Sequence, residues 1–247
     1  RKAETPAGML NCVGLENPGI EYFESHILPE MKAAGITTNI IANINGKTVE
    51  EYVEIAKRAD KIKEIAILEL NISCPNVKDG GMAFGANPEV AARVTREVRK
   101  VTSKPLVVKL SPNVTDIASI AKIVEENGAD AVSLINTLLG MVIDIRTKKP
   151  VLGNTFGGFS GPAVKPVAVR MVYQVYKAVN IPIIGMGGIA SVEDALEFIM
   201  AGASMISIGS AIFSNPMLAV EIAEGLQKYC EENGFENISE LVGAAHR

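Results

Sequence analysis

Histidine and cysteine are scarce in this chain, and their scarcity removes several chemistries at once. Only His26 and His246 stand among 247 residues, one in helix-period sequence and one at the tail. Neither a histidine-based triad nor a histidine-rich metal site has the material it needs. Cys12, Cys74 and Cys230 are too few and too scattered for a disulfide framework or a metal site, which fits a reducing compartment. Excess positive charge is missing as well. A net charge of −4 and a pI near 5.4 give no electrostatic case for nucleic acid or an anionic membrane. No apolar run approaches the length of a bilayer span and no secretion signal is visible, so a soluble, cytoplasmic protein is expected. A GxGxxG after a first strand and a Walker sequence are both absent, which favours a mononucleotide over a dinucleotide cofactor.

What is present is a long chain with 48% hydrophobic residues, enough for one large α/β domain spanning residues 1–247. Apolar, β-branched runs recur at Asn39–Asn43, Ile65–Leu70, Pro105–Leu110, Ala131–Asn136, Ile181–Gly185 and Met205–Gly209, each followed by a loop and then helix-period sequence. Thr48-Val49-Glu50-Glu51 and Ser191-Val192-Glu193-Asp194 have capping-box spacing, Asn87-Pro88 supplies an N-cap with proline at the first helical position, and Gly128 and Gly202 sit where helices should stop. Near-continuous apolar strands indicate a parallel sheet buried on both faces. Polar residues end nearly every strand: Asn43, Asn71, Lys109, Asn136, the glycines of Gly185-Met186-Gly187-Gly188, and Gly209-Ser210. One ring of loops converging on one ligand is the signature of a TIM barrel. Such a barrel has eight strands, so two are expected before Arg1. Thr137–Gly161 exceeds an ordinary βα loop, and Met141–Asp144 with Pro150–Gly153 reads as a small hairpin around Thr147-Lys148-Lys149.

The chemistry concentrates in Asn71-Ile72-Ser73-Cys74-Pro75-Asn76, directly after a buried strand. A lone cysteine near a strand end is more often packing than catalysis. Here its neighbours argue otherwise. Asn71 and Asn76 offer acceptors and donors suited to a flat heterocycle with alternating C=O and N–H groups, such as a pyrimidine. Glycines at the last two strand ends match the phosphate site that many TIM barrels build there. Lys109 closes an apolar strand, where an ammonium needs an acceptor or an anion, unless it snorkels to solvent. Asn11, Asn136 and Thr137 add further amides and a hydroxyl.

These residues carry a resemblance. Asn71–Gly85 with Asn-Ile-Ser-Cys-Pro-Asn-Val-Lys, Val108–Asn113 with Lys-Leu-Ser-Pro-Asn, Ile135–Gly140, Gly157–Pro166 and Ile184–Ile189 resemble the catalytic, FMN-containing subunit of class 1 dihydroorotate dehydrogenases, most like the NAD-linked class 1B form. The resemblance implies an FMN-binding (β/α)8 barrel that oxidises dihydroorotate to orotate in de novo pyrimidine biosynthesis. It makes Cys74 the base that takes the C5 proton while hydride leaves C6 for the flavin. Substrate would be held by Asn11, Asn71, Asn76, Asn136 and Thr137 with the backbone around Val13, Gly14 and Leu15. FMN would contact Asn43, Asn71, Lys109, Ile135 and Gly161, with its phosphate at Gly187, Gly188, Gly209 and Ser210. The family's first two strands, an early flavin loop and a lysine at the flavin have no counterpart here and are expected upstream of Arg1, without which the barrel should be unstable. FAD and a 2Fe-2S cluster are expected on a partner subunit that passes electrons to NAD, within a heterotetramer built on a homodimer. Two other readings stay open: a dihydropyrimidine dehydrogenase-like flavin barrel, in which a histidine commonly stands where this chain has Asn76, and a flavin-free phosphate-binding lyase or isomerase.

Overall fold

The computed structural model describes residues 1–73 and 85–247. The chain opens with β1 (Lys2–Thr5) and β2 (Gly8–Asn11), then a helical stretch made of α1 (Ile20–Tyr22), a π-helical turn over Phe23–Ile27, and α2 (Leu28–Ala33). Strands and helices then alternate. β3 (Ile40–Ile44) leads into α3 (Val49–Asp60), β4 (Ile65–Asn71) precedes α4 (Pro88–Arg99), and β5 (Leu106–Lys109) leads into α5 (Ile117–Glu126). After β6 (Ala131–Leu134) comes an excursion of four short strands, β7 (Leu138–Gly140), β8 (Ile143–Asp144), β9 (Lys149–Pro150) and β10 (Gly157–Ser160), before α6 (Lys165–Tyr176). β11 (Ile183–Met186) leads into α7 (Val192–Ala201), and β12 (Met205–Ser207) into α8 (Leu218–Asn233). Every apolar run picked out in the sequence carries a strand, in the βα order of a TIM barrel. Among the described residues no helix is long and apolar enough to cross a membrane.

Backbone contacts group the residues into two compact units. The first comprises Gly14–Lys109 and Ile123–Ala131. In it β3, β4 and β5 run parallel in that order, with Asn43 opposite Glu69 and Asn71 opposite Lys109. Paired residues of parallel strands point to the same face, and so do residues two apart, so Asn43, Glu69, Asn71 and Lys109 share one face. The alternate residues Leu68, Leu70, Leu106 and Val108 are buried on the other. α3 packs beside α4, and each buries one stripe at helical spacing, Val49, Tyr52, Ala56 and Ala59 on α3 and Ala91, Val94, Thr95 and Val98 on α4.

The second unit comprises Arg1–Val13, Leu110–Lys122 and Val132–Arg247. β6, β11 and β12 lie parallel in that order, and β1, β2, β10 and β7 form a separate antiparallel sheet. β8 and β9 pair around Lys148, whose positive φ of 57° turns the chain, close to the hairpin expected from the sequence. The antiparallel sheet was not expected. Its strands are short and rich in glycine and polar residues, so they lack the apolar alternation that reveals strands in a sequence. α6, α7 and α8 pack side by side, and Leu196, Ile199 and Leu241 form a core there with Val192, Leu226, Phe235 and Ile238.

The helix starts follow the sequence signals with one shift. Thr48 and Ser191 accept from the amides of Glu51 and Asp194, as N-caps should. The returning half of each capping box lands one residue early: Glu51 accepts from Lys47 N at 2.6 Å and Asp194 from Ala190 N at 2.9 Å. Asn87 caps α4 through Glu89 N and Val90 N, with Pro88 at its first position. Gly202 ends α7 at φ 124°, and Gly128 turns the chain after α5 at φ 99°.

Candidate active site

In the first unit, the carboxyl ends of three parallel strands bring predicted site residues into one hydrogen-bonded array. Asn43 Nδ2 donates to the Glu69 carboxylate, and Asn71 Nδ2 donates to Asn43 Oδ1 at 3.3 Å. Asn71 Oδ1 in turn accepts from Ser73 N at 3.2 Å. Lys109 Nζ lies 3.9 Å from Glu69 Oε2, so the ammonium at the end of β5 has a counter-charge and does not simply reach for solvent. Two bonds fix the backbone beneath this array: the buried Tyr52 hydroxyl donates to the Asn71 carbonyl at 2.6 Å, and Ser73 Oγ donates to the Lys109 carbonyl at 3.0 Å. Glu69 was missed in the sequence reading. The signal was available, since a charged residue inside the run Ile65–Leu70 is costly to bury without partners. Cys74 and Asn76 lie outside the described residues. Gly14, at φ 80°, and the half-exposed Leu15 lie at the start of this unit.

The second unit builds its polar end differently. Ile135, Asn136 and Thr137 follow β6; Ile135 is buried, and the Asn136 N–H donates to the Leu110 carbonyl at 3.2 Å. Asn136 Oδ1 accepts from Thr137 N at 2.7 Å. Asn113 braces the segment from outside, donating to the Thr137 carbonyl at 3.0 Å and accepting from Leu139 N at 2.9 Å. Its sequence motif was noticed, its bracing role was not. Asn11 joins the same neighbourhood through Gly158: Asn11 Nδ2 donates to the Gly158 carbonyl at 3.5 Å, and a Cβ on Gly158 would lie 2.2 Å from Thr137 Oγ1. Val13 N donates to Asn11 Oδ1 at 3.5 Å.

Glycines dominate the rest. Gly187 and Gly188 follow β11 with φ of 124° and 84°, backbone that side chains rarely adopt, and Gly161 sits at 109°. A Cβ on Gly188 would stand 2.7 Å from the Gly161 carbonyl oxygen, and one on Gly187 would stand 3.0 Å from Ile135 Cγ1. Ile135, Gly161, Gly187 and Gly188 are therefore brought together. β12 runs parallel beside β11 with Ser207 opposite Met186, so Gly209 and Ser210 leave the sheet at the same edge. A Cβ on Gly209 would meet open space. Lys165 packs on Gly188, but its ammonium is held by Asp194 and Glu197 at 2.7 and 2.6 Å. The Lys165 pKa is raised by those hydrogen bonds. For Asp194, burial pushes the carboxyl up, yet bonds from Lys165 and the Ala190 amide outweigh it and hold it below the usual range.

The sequence profile of the family described as dihydroorotate dehydrogenase matches residues 1–230. Among known proteins, the chain is 62% identical over 247 residues to the dihydroorotate dehydrogenase B (NAD(+)) catalytic subunit of Brachyspira hyodysenteriae, covering 100% of this chain and 80% of the relative. The subunits of the same name from Desulforamulus reducens and Parabacteroides distasonis are 60% and 56% identical, over 100% and 99% of this chain and 80% and 79% of theirs. A profile match over nearly the whole length, with relatives at this identity, means that the chain belongs to the dihydroorotate dehydrogenase family, whose fold is the TIM barrel.

Proposed function

We propose that this chain oxidises dihydroorotate to orotate in pyrimidine biosynthesis, as the FMN-bearing catalytic subunit of an NAD-linked enzyme. The single observation that carries the reading is the 62% identity to a catalytic subunit of that name along the full chain. The residues suit the cofactor. FMN brings a phosphate dianion and a polar ring. Gly187 and Gly188 take positive φ and pack without a Cβ against Ile135, Gly161 and Lys165, a glycine turn of the kind that offers backbone N–H groups to an anion, Gly209 opens to free space, and Lys109 with the Asn43 and Asn71 amides supplies charge and donors for a ring. When bound, FMN supplies the hydride acceptor.

The chain's own residues would do the rest. Gly187, Gly188, Gly209 and Ser210 hold the phosphate, with Ile135 and Gly161 beside it. Lys109 offsets negative charge on the ring. Asn11, Asn71, Asn76, Asn136 and Thr137, with the backbone of Val13, Gly14 and Leu15, hold the pyrimidine and its carboxylate. Cys74 accepts the C5 proton. An unperturbed thiol titrates at about 8.5, so activity should rise with pH until the thiolate dominates. A cytoplasmic location, a homodimer, and a partner subunit with FAD and a 2Fe-2S cluster complete the proposal. The test is to mix the purified protein anaerobically with dihydroorotate. Bleaching of a bound flavin with stoichiometric orotate is the expected outcome, and a colourless protein, or a flavin that dihydroorotate leaves oxidised, would sink the reading.

A further inference from the structure

We infer that Glu69 is a positioning residue of the reaction centre: its carboxylate decides which way the Asn43 and Asn71 amides face and how much of the Lys109 charge is left for the flavin. The inference rests on the function proposed above. All of its geometry lies within the first unit, on β3, β4 and β5.

Glu69 sits two residues before Asn71 on the same face of β4, opposite Asn43 on β3 and one strand from Lys109 on β5. It is buried, with 8% of its surface exposed, in a strand whose neighbours Leu68 and Leu70 are fully buried. A buried ion pair is a poor route to stability, because desolvation of two charges offsets most of their attraction. What the carboxylate does offer is polarity. It can only accept, so Asn43 must turn its NH2 toward Glu69 and its carbonyl toward Asn71. Asn71 must then present its NH2 to Asn43, and its carbonyl falls to the Ser73 N–H. One acceptor-only group at the head of the row thus orients two amides proposed to meet ligand. Without it, the row is oriented only from its other end, by the Ser73 N–H on Asn71, and Asn43 loses the partner that holds its NH2.

The same carboxylate lies 3.9 Å from Lys109 Nζ, close enough for attraction and too far for a short hydrogen bond. It both restrains the ammonium and screens it. With Glu69 neutral, Lys109 would act on the ring at full strength and favour the more negative, reduced flavin.

Two variants separate these roles in the FMN-loaded protein. Glu69→Gln removes the charge and adds a donor, so it disturbs both. The preference for reduced over oxidised FMN should rise by about tenfold, which is ~30 mV in the midpoint potential of a two-electron couple. Orotate affinity, read from the flavin spectrum, should fall by about tenfold as the amides lose their orientation. Glu69→Asp keeps the charge on a shorter arm that no longer reaches Asn43. Its potential should stay within about twofold of wild type on the same scale, while orotate affinity falls as in Glu69→Gln. A general packing defect would not divide the two readouts this way. An unshifted potential in Glu69→Gln overturns the inference, as does wild-type orotate affinity in Glu69→Asp; the second decides alone if Glu69→Gln does not fold. A wild type that is yellow and active beside an unchanged Glu69→Gln sinks this inference only, whereas a wild type without FMN sinks the proposed function and this with it.

Discussion

The two units build their polar strand ends from different materials. In the first unit, Asn43, Glu69, Asn71 and Lys109 meet through side chains, each with a named partner and a charge or dipole pointed in a fixed direction. In the second, Gly161, Gly187 and Gly188 meet by lacking side chains, and backbone groups are what is left to offer. The contrast follows from what each end is proposed to recognise. A pyrimidine and a flavin ring display specific patterns of donors and acceptors, which amides can match one by one. A phosphate accepts from any direction, so backbone N–H groups suffice if nothing crowds them. The first end should be sensitive to chemistry at constant shape, the second to shape and charge at almost any chemistry.

The strongest challenge to that contrast concerns Cys74. Cys74→Ala is nearly constant in shape and should retain FMN and bind orotate, yet reduce flavin with dihydroorotate by roughly 10²–10⁴ more slowly, the usual loss on removing a general base. Stopped-flow reduction measures it, and a wild-type rate would take Cys74 out of the mechanism. In the second unit, Gly188→Asp places a Cβ within 2.7 Å of the Gly161 carbonyl, at a φ of 84°, and adds negative charge where the phosphate is proposed to lie. It should yield colourless protein. Gly188→Ala adds only the Cβ and should weaken FMN retention without abolishing it, by the 1–3 kcal/mol typical of a strained backbone position. FMN per chain after desalting compares the pair. If both variants hold FMN at one per chain, the phosphate does not lie there.

How far the sequence disclosed all this follows the same division. The parallel strands were legible because buried β-branched runs such as Ile65–Leu70 and Leu106–Lys109 have no other explanation, and α3 and α7 because Thr48 and Ser191 announce their starts. Asn43, Asn71 and Lys109 were legible as polar residues closing apolar strands. Their joint partner Glu69 was not, because the pattern that marked the strand drew attention to its apolar members. The antiparallel sheet of β1, β2, β10 and β7 escaped because residues such as Gly157 and Gly158 serve close approach, to Asn11 and Thr137, and carry no apolar period. Asn113 escaped because a brace that works through backbone groups leaves no trace in spacing.

Each unit also carries an ionic brace, and the braces should differ in the way the ends do. Lys165 and Asp194, with 23% and 16% of their side chains exposed, clamp α6 to α7 directly beside Gly188. Lys165→Met would leave Asp194 without its cation in a partly buried setting and should cost about 2 kcal/mol, below the 3–5 of a fully buried pair. FMN retention should fall with it, because Lys165 packs on Gly188 of the proposed phosphate site. The Lys165 pKa is raised above 10.5, so its contribution is complete below that pH and is lost as pH rises through the folded value. Asp194 is lowered below 3.8, so its share is present above that pH and is lost on acidification through the folded value. The difference in melting temperature between wild type and Lys165→Met should therefore be widest between those limits. A constant difference from acid to alkali would mean that the pair contributes packing and not charge.

The smallest effect is expected at Asp60, the brace of the first unit. It is the last residue of α3, where the helix dipole disfavours a negative charge. Its carboxylate is nevertheless surrounded by donors from the turn that leads into β5: Thr102 Oγ1 at 2.6 Å, Ser103 N at 2.8 Å and Lys104 N at 3.4 Å. The Thr102 hydroxyl does most to hold its pKa below 3.8. Asp60→Asn keeps the shape and one carbonyl acceptor but loses the charge that strengthens those bonds. Because the site is open to solvent screening, the cost should be about 1 kcal/mol, or ~2–4 °C in melting temperature for a chain of this size. A lowered carboxylate stabilises above its unfolded pKa, so the gap between variant and wild type should hold at neutral pH and close as pH falls below 3.8 and wild-type Asp60 gains its proton. Flavin content and orotate affinity should not change, since the brace lies at the amino end of β5 and Lys109 at its carboxyl end. A loss of orotate affinity in Asp60→Asn would show that the side-chain array is tuned from the far edge of the sheet, and the polar ends of the two units would then differ in reach as well as in material.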